Sequence, residues 1–219
     1  MKILVAGGTG LIGTELLKIL SRRSDLHVTA LVRHLPSANL HAEHIEYRLF
    51  NYENTADLER LSADTFDVVF CTLGTTRKKA GSVQEFVKVD FEYPRHLIEA
   101  VQPKKSLFCV VSSVGADRPW GLYLRTKAQL EKYLVNSGLR YVIVRPSLLL
   151  GERTEFRLGE WIAAKCSRPF QKILRSSLGE KCAIYAPISA SEVARAMIRA
   201  TLDHPPETGG VILQGSSLC

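Results

Sequence analysis

The chain has 219 residues, 46% of them hydrophobic, and a formal net charge of +7. That length sustains one sizeable core and favours a single domain. No apolar run approaches the ~20 residues of a membrane helix, and the basic residues are dispersed among acids without an aromatic-interleaved stripe, so neither a membrane span nor a nucleic-acid groove is expected.

The chain opens on Lys2–Ala6, a short apolar strand that runs straight into glycines and then a helix over Leu11–Arg23. Gly7, Gly10 and Gly13 stand three apart, as G-x-x-G-x-x-G. Glycine is required where such a turn is tight, where backbone approaches a pyrophosphate and where the helix closes on the strand. The N–H groups of the helix N-terminus then face the phosphates. Thr9, Leu11 and Ile12, which lie between and after these glycines, are assigned with them to the cofactor site. The strand begins at residue 2, so no signal peptide is expected before it.

The next strand, His27–Val32, ends in Arg33. An acid about twenty residues after the glycines bonds the adenosine ribose of NAD, whereas an arginine accommodates a 2′-phosphate. Arg33 therefore favours NADP(H) over NAD(H), against the alternative of a surface arginine at a strand end. His41 and His44 are close but lack a third ligand, and no metal site is expected there. A strand at Ile45–Leu49, a short helix near Thr55–Leu61 and a strand at Asp67–Leu73 follow, then a basic, glycine-containing insertion at Thr75–Ser82. In it, Arg77, Lys78 and Lys79 read either as a solvated loop or as a grip on an anionic substrate.

A helix over Val83–Val101 and a strand over Ser106–Ser112 come next. The strand ends beside Ser113, which is placed to reach a substrate carbonyl; the alternative is that Ser112 and Ser113 only cap the turn before Gly115. The helix Gly121–Ser137 carries Tyr123 and Lys127, spaced Y-x-x-x-K on one face. A neighbouring ammonium favours the phenolate, and such a pair can act on one ligand. A strand at Arg140–Arg145, a second insertion at about 151–186, a helix at Ser191–Leu202 and a weak strand at Val211–Leu213 complete the chain. Alternating strands and helices predict an α/β fold, a doubly wound parallel sheet of Rossmann type. Ligands lie outside the carboxyl ends of such strands, so the second insertion is the candidate substrate or partner region. The five cysteines, Cys71, Cys109, Cys166, Cys182 and Cys219, form no C-x-x-C pair and read as reduced thiols in a cytoplasmic protein, with Cys71 a buried structural thiol by default.

The glycine turn, the strand-end serines and Y-x-x-x-K, in that order, resemble the short-chain dehydrogenase/reductase superfamily. The resemblance implies that Tyr123 is the general acid or base, that Lys127 holds the ribose and tunes Tyr123, and that Ser113 polarises the carbonyl during hydride transfer. Cys71-Thr-Leu-Gly-Thr-Thr-Arg77 with Lys79-Ala-Gly81, Phe86-Val-Lys-Val-Asp90, Ser112-Ser-Val-Gly-Ala-Asp117 and Leu158-Gly-Glu-Trp161 is similar to the Tat-interacting-protein branch of its atypical members. That branch implies that Leu73 and Gly74 pass the adenosine or ribose and that Pro146 and Leu148 lie near the nicotinamide amide. The bland rivals are Leu73 as core and Pro146 as a strand terminator. Asp90 stands where many superfamily members have asparagine, and an ionised carboxylate cannot donate as an amide does. The expected activity is NADP(H)-dependent reduction or oxidation of an unidentified carbonyl or alcohol by a monomer or homodimer. The alternative is a redox-sensing protein that binds NADP(H) without turnover and docks a protein partner through 151–186.

Overall fold

The computed structural model describes residues 1–35, 43–150 and 186–218. Seven parallel strands form one sheet: β1 (Lys2–Ala6), β2 (His27–Val32), β3 (Ile45–Leu49), β4 (Val68–Cys71), β5 (Leu107–Val111), β6 (Tyr141–Arg145) and, after a separate short pair β7 (Leu149–Leu150) and β8 (Ile188–Ser189), β9 (Gly210–Gln214). The sheet order is β3-β2-β1-β4-β5-β6-β9, with the reversal of direction between β1 and β4. This is the expected doubly wound fold, and it puts the ligand crevice outside the carboxyl ends of β1 and β4. Strands β4 and β5 are buried at every position, whereas β3 and β9, at the two edges, are partly exposed. Apolar runs without polar alternation are what a strand covered on both faces requires.

Helices α1 (Leu11–Leu20), α2 (Thr55–Ala63), α3 (Arg77–Ala80), α4 (Val83–Val87), α5 (Tyr93–Val101), α6 (Gly121–Asn136) and α7 (Ala190–Ile198) supply the two outer layers. On one face, Leu16 and Leu20 of α1 and Val193 and Met197 of α7 pack on Ile3, Val5 and Val142. On the other, Leu97 and Ile98 of α5 and Leu130 and Leu134 of α6 pack on Leu4, Phe108 and Ile143. Polar caps define the helix starts: Asn54 accepts from Ala56 N–H, Ser82 from Glu85 N–H, and Ser189 forms a reciprocal capping box with Glu192.

The single helix expected over Val83–Val101 is continuous but changes pitch. Residues Lys88–Glu92 form a π turn between α4 and α5. Pro94 explains it: having no N–H, it cannot bond the carbonyl of Asp90 four residues back, and the turn widens there. The expected strand Asp67–Leu73 is shorter at both ends, Val68–Cys71, although the Asp67 and Thr72 N–H groups still bond the Lys2 and Ala6 carbonyls and their side chains add further bonds. Asp67 accepts the Lys2 N–H at 2.7 Å, and the Thr72 hydroxyl donates to the Ala6 and Gly7 carbonyls at 3.0 Å. The helix expected over Ser191–Leu202 begins one residue earlier and ends in a second π turn, Arg199–Asp203. The insertion at about 151–186, with Cys166 and Cys182, and also His41 and Cys219, lie outside the described residues, Ala186 excepted.

The glycine turn is packed without slack. Gly7 has φ +85°, and a Cβ there would stand 2.8 Å from Thr72. A Cβ on Gly13 would lie 2.2 Å from the Gly7 carbonyl oxygen. Gly13→Ala must therefore push α1 off the turn. It is expected to cost about 1–3 kcal/mol of stability, read from chemical denaturation, and to weaken nucleotide binding in the same protein. An unchanged midpoint would show that α1 can shift freely.

Candidate functional site

A cavity of about 640 Å³ opens at the carboxyl ends of the strands and runs from β2 past β1 and β4 to β5 and β6. Gly7, Thr9, Gly10, Leu11 and Ile12 line its centre. Gly10 is the N-cap of α1 and offers no side-chain cap, and the first turn of the helix carries no acid. The first-turn N–H groups and the positive end of the helix dipole thus face the cavity, which suits a diphosphate. Gly13 does not line the cavity; it is the place where α1 closes on the turn.

At one end stand Leu31, Val32, the exposed Arg33, Tyr52 and Tyr93. The two tyrosine rings are stacked, 5.0 Å apart at 15°. Phe50 meets Tyr52 edge-on at 4.9 Å. Burial pushes the Tyr52 phenol up, so this wall is neutral and flat beside one guanidinium. Leu73 and Gly74 continue the lining toward the middle.

At the other end the cavity meets Ser112, Ser113, Tyr123, Lys127, Pro146 and Leu148. Tyr123 and Lys127 lie one turn apart on α6, with the Lys127 Nζ 6.0 Å from the Tyr123 ring centre. Phe86 of α4 covers Tyr123 from the side at 6.2 Å. Lys127 and Ser113 are buried, and Tyr123 is half-buried. The two serines are not equivalent. The Ser112 hydroxyl donates to Glu131, whereas that of Ser113 makes a 3.2 Å contact with the carbonyl of Val114, its own neighbour. The fold therefore brings every proposed site residue except Gly13 to one surface.

Two buried ion pairs hold this end in place. Lys127 Nζ lies 2.8 Å from Asp90 Oδ1, with side-chain exposures of 3% and 1%. The other Asp90 oxygen accepts the Thr75 N–H at 2.7 Å, and Lys127 Nζ also contacts the Val111 carbonyl at 3.5 Å. The π turn turns Asp90 inward, between the loop after β4 and helix α6. One turn further along α6, Glu131 takes Arg145 in a two-pronged bond, with Nε to Oε1 at 2.9 Å and Nη2 to Oε2 at 2.6 Å. Arg145 also reaches Gln214 of β9 at 3.4 Å, and Glu131 raises its pKa. Residue spacing reveals neither pair, because each joins two different elements. Tyr52 and Tyr93 went unnoticed for the same reason.

Arg77, Lys78 and Lys79 are exposed; Lys79 lines the cavity. Cys71 and Cys109 are free and wholly buried, and burial pushes the Cys71 thiol up to about 11 and that of Cys109 well above its ordinary value. Both are protonated at neutral pH, as structural thiols are. Among the described residues no three His, Cys, Asp or Glu side chains gather as metal ligands, and no helix is long and apolar enough to cross a membrane.

A family model described as NAD(P)H-binding matches residues 7–204. The chain is 34% identical over 170 residues to the protein FMP52, mitochondrial, of Candida albicans, covering 74% of each chain. It is 36% identical over 175 residues to HTATIP2 of Rattus norvegicus, a Tat-interacting protein, covering 74% of this chain and 69% of that one. In fold it is similar to UDP-glucuronic acid 4-epimerase from Bacillus cereus, solved in complex with NAD, at TM-score 0.68 and 21% identity over 99% of this chain and 78% of the other. The expectation of a cytoplasmic protein is overturned here. Relatives from several fungi are named mitochondrial proteins, and reduced thiols report only that a thiol is shielded or kept reduced.

Removing one partner of a buried ion pair strands the other. Arg145→Met is expected to destabilise the protein by about 3–5 kcal/mol in equilibrium urea unfolding. Adding Glu131→Leu should recover most of that loss. A double variant as unstable as the single one would show that packing, not the stranded carboxylate, sets the cost.

Proposed function

The chain belongs to the NAD(P)H-binding family, and within it we propose that this protein is an NADP(H)-dependent oxidoreductase acting on a carbonyl or alcohol. One observation carries the reading: Ser113, Tyr123 and Lys127 meet at the far end of the same cavity whose centre is the glycine turn and whose near end holds Arg33. A dinucleotide laid along that cavity puts its diphosphate on the α1 N-terminus and its adenosine against Tyr52 and Arg33. Its nicotinamide then falls toward Pro146 and Leu148. When bound, the nicotinamide supplies or accepts the hydride.

The protein's own groups do the rest. Arg33 receives the 2′-phosphate in its fork, which favours NADP(H) over NAD(H). Ser113 donates a hydrogen bond to the substrate oxygen, and Tyr123 gives or takes the proton at that oxygen. Lys127 holds the ribose hydroxyls and lies beside the phenol. The segment 151–186, which leaves and re-enters the chain beside Leu148, is the substrate or partner region of a single domain. Mitochondrial residence, carried by the names of the fungal relatives, is the proposed location.

Purified protein is expected to oxidise NADPH with some member of an aldehyde, ketone and quinone panel. Tyr123→Phe should reduce turnover by about 100-fold or more while NADPH affinity stays within twofold. No turnover by the wild type with NADPH tightly bound would replace this reading with a binding protein that senses NADP(H). Arg33→Ala should weaken NADPH about tenfold or more and leave NADH nearly unchanged in a fluorescence titration, as expected for loss of one charge-assisted pair. Equal loss for both nucleotides would assign Arg33 to the adenosine in general.

A further inference from the structure

The end of the cavity beside β2 holds two polar side chains of opposite character. Arg33 is exposed and charged, whereas Tyr52 is 6% exposed and uncharged. Burial pushes the ionisation of Tyr52 up, so at neutral pH its hydroxyl both donates and accepts. The polar groups next to it are committed within the protein. The Thr72 hydroxyl donates to the Ala6 and Gly7 carbonyls, and the Tyr93 hydroxyl is taken by Glu53, which Lys88 holds at 2.8 Å. Asn51 is exposed, does not line the cavity, and spends its side-chain oxygen on the Glu53 N–H at 3.0 Å.

The Tyr52 hydroxyl itself bonds to nothing among the described residues. It is not sealed in either. Among those residues the one fully enclosed side-chain polar atom without a hydrogen bond is Asp90 Oδ1, which has Lys127 as its ion-pair partner. The Tyr52 hydroxyl therefore reaches open space, and the space its residue lines is the cavity. Its ring is fixed there. Tyr93 stacks on it at 5.0 Å, Phe50 meets it at 4.9 Å, and the Tyr52 carbonyl is 3.1 Å from His96 Nδ1. A buried phenol ordinarily finds a partner in the protein. One held rigidly without a partner, at the edge of a binding cavity, is set for the polar edge of a ligand.

Arg33 and Tyr52 suit different parts of one nucleotide. A phosphate dianion is costly to desolvate and belongs with the exposed guanidinium. A purine base is flat and mostly apolar, with a polar rim, and belongs at the aromatic wall. The rim farthest from the ribose carries a ring nitrogen that accepts and an amino group that donates, and a hydroxyl serves either. We infer that the Tyr52 hydroxyl hydrogen-bonds that rim of adenine and is a specificity-determining residue for the base, with the 2′-phosphate left to Arg33. The inference rests on the reading of the cavity as a dinucleotide site and deepens it.

Tyr52→Phe removes the hydroxyl and nothing else. Because that oxygen has no partner in the protein, the urea midpoint of the nucleotide-free variant is expected to match the wild type. Both proteins are then titrated with NADP⁺, NAD⁺ and the etheno-bridged analogue of NADP⁺, in which the ring nitrogen and amino group of that rim are tied together and cannot make the bond. Tyr52→Phe is expected to weaken NADP⁺ and NAD⁺ alike, by about three- to tenfold, the loss of one neutral hydrogen bond, and to leave the bridged analogue unaffected. Unchanged affinity for NADP⁺ overturns the inference. So does a loss confined to NADP⁺, which assigns the hydroxyl to the 2′-phosphate, or an equal loss for the bridged analogue, which assigns it to the ribose. A lowered urea midpoint overturns it in favour of a structural role. A wild type that binds no nucleotide overturns the dinucleotide reading, and this inference with it. A wild type that prefers NAD⁺ removes only the NADP(H) preference, and equal losses for both nucleotides still support the role of Tyr52.

Discussion

One face of helix α6 must bury two charges, and the rest of the site is arranged around that requirement. Tyr123, Lys127 and Glu131 follow one another at intervals of four, so they stack along a single stripe. The ammonium and the carboxylate point into the protein, where an unmatched charge costs several kcal/mol. Each is met by a group from another element: Asp90 from the π turn and Arg145 from β6. Only one rotation and one axial position of α6 satisfy both partners at once. That position aims Tyr123 into the cavity. Pairs of this kind add little to stability compared with apolar packing, but they penalise every competing arrangement heavily. They specify geometry more than they supply strength.

Much of the frame was legible in the sequence, because it rests on local patterns. Unbroken apolar runs marked β1, β2, β5 and β6 to within a residue of their ends, and the glycine spacing located the turn. The errors came where polar residues at strand ends bond to a neighbour across the sheet. Asp67 and Thr72 look like strand termini until their partners on β1 are known. The π turn was masked by the helical periodicity around it, although Pro94 announced a missing hydrogen bond. Asp90 was visible as a departure from asparagine, but the sequence suggested only the loss of a donor. In the fold the residue accepts the Thr75 N–H and is the ion-pair partner of Lys127. Glu131 and Arg145 are fourteen positions apart on different elements, and Tyr52 and Tyr93 more than forty. No spacing rule connects such residues; the sheet does.

Cysteine usage shows how a compositional argument can be sound in chemistry and wrong in location. Cys71, the last residue of β4, and Cys109, in the middle of β5, are free and wholly buried in the sheet. A thiol held there is protonated and inaccessible in any compartment. Its reduced state is a property of packing, and it carries no address. The net charge of +7 is similarly undiagnostic. Among the described residues the cavity shows a single exposed arginine at one end and paired charges at the other.

The short pair β7–β8 has a consequence for how this architecture can vary. Leu150 and Ser189 are register partners, the Ile188 N–H bonds the Leu148 carbonyl at 3.0 Å, and the Ser147 hydroxyl donates to the Ala186 carbonyl. The chain thus leaves the sheet and returns to it at one cinched point on the rim of the cavity. Lengthening a closed loop costs only about 0.6 kcal/mol per doubling. A segment tied at its neck can therefore be resized or exchanged while the sheet, the glycine turn and the paired charges keep their coordinates. Lineages that inherit this frame are free to rewrite one tethered stretch without renegotiating how they hold a nucleotide.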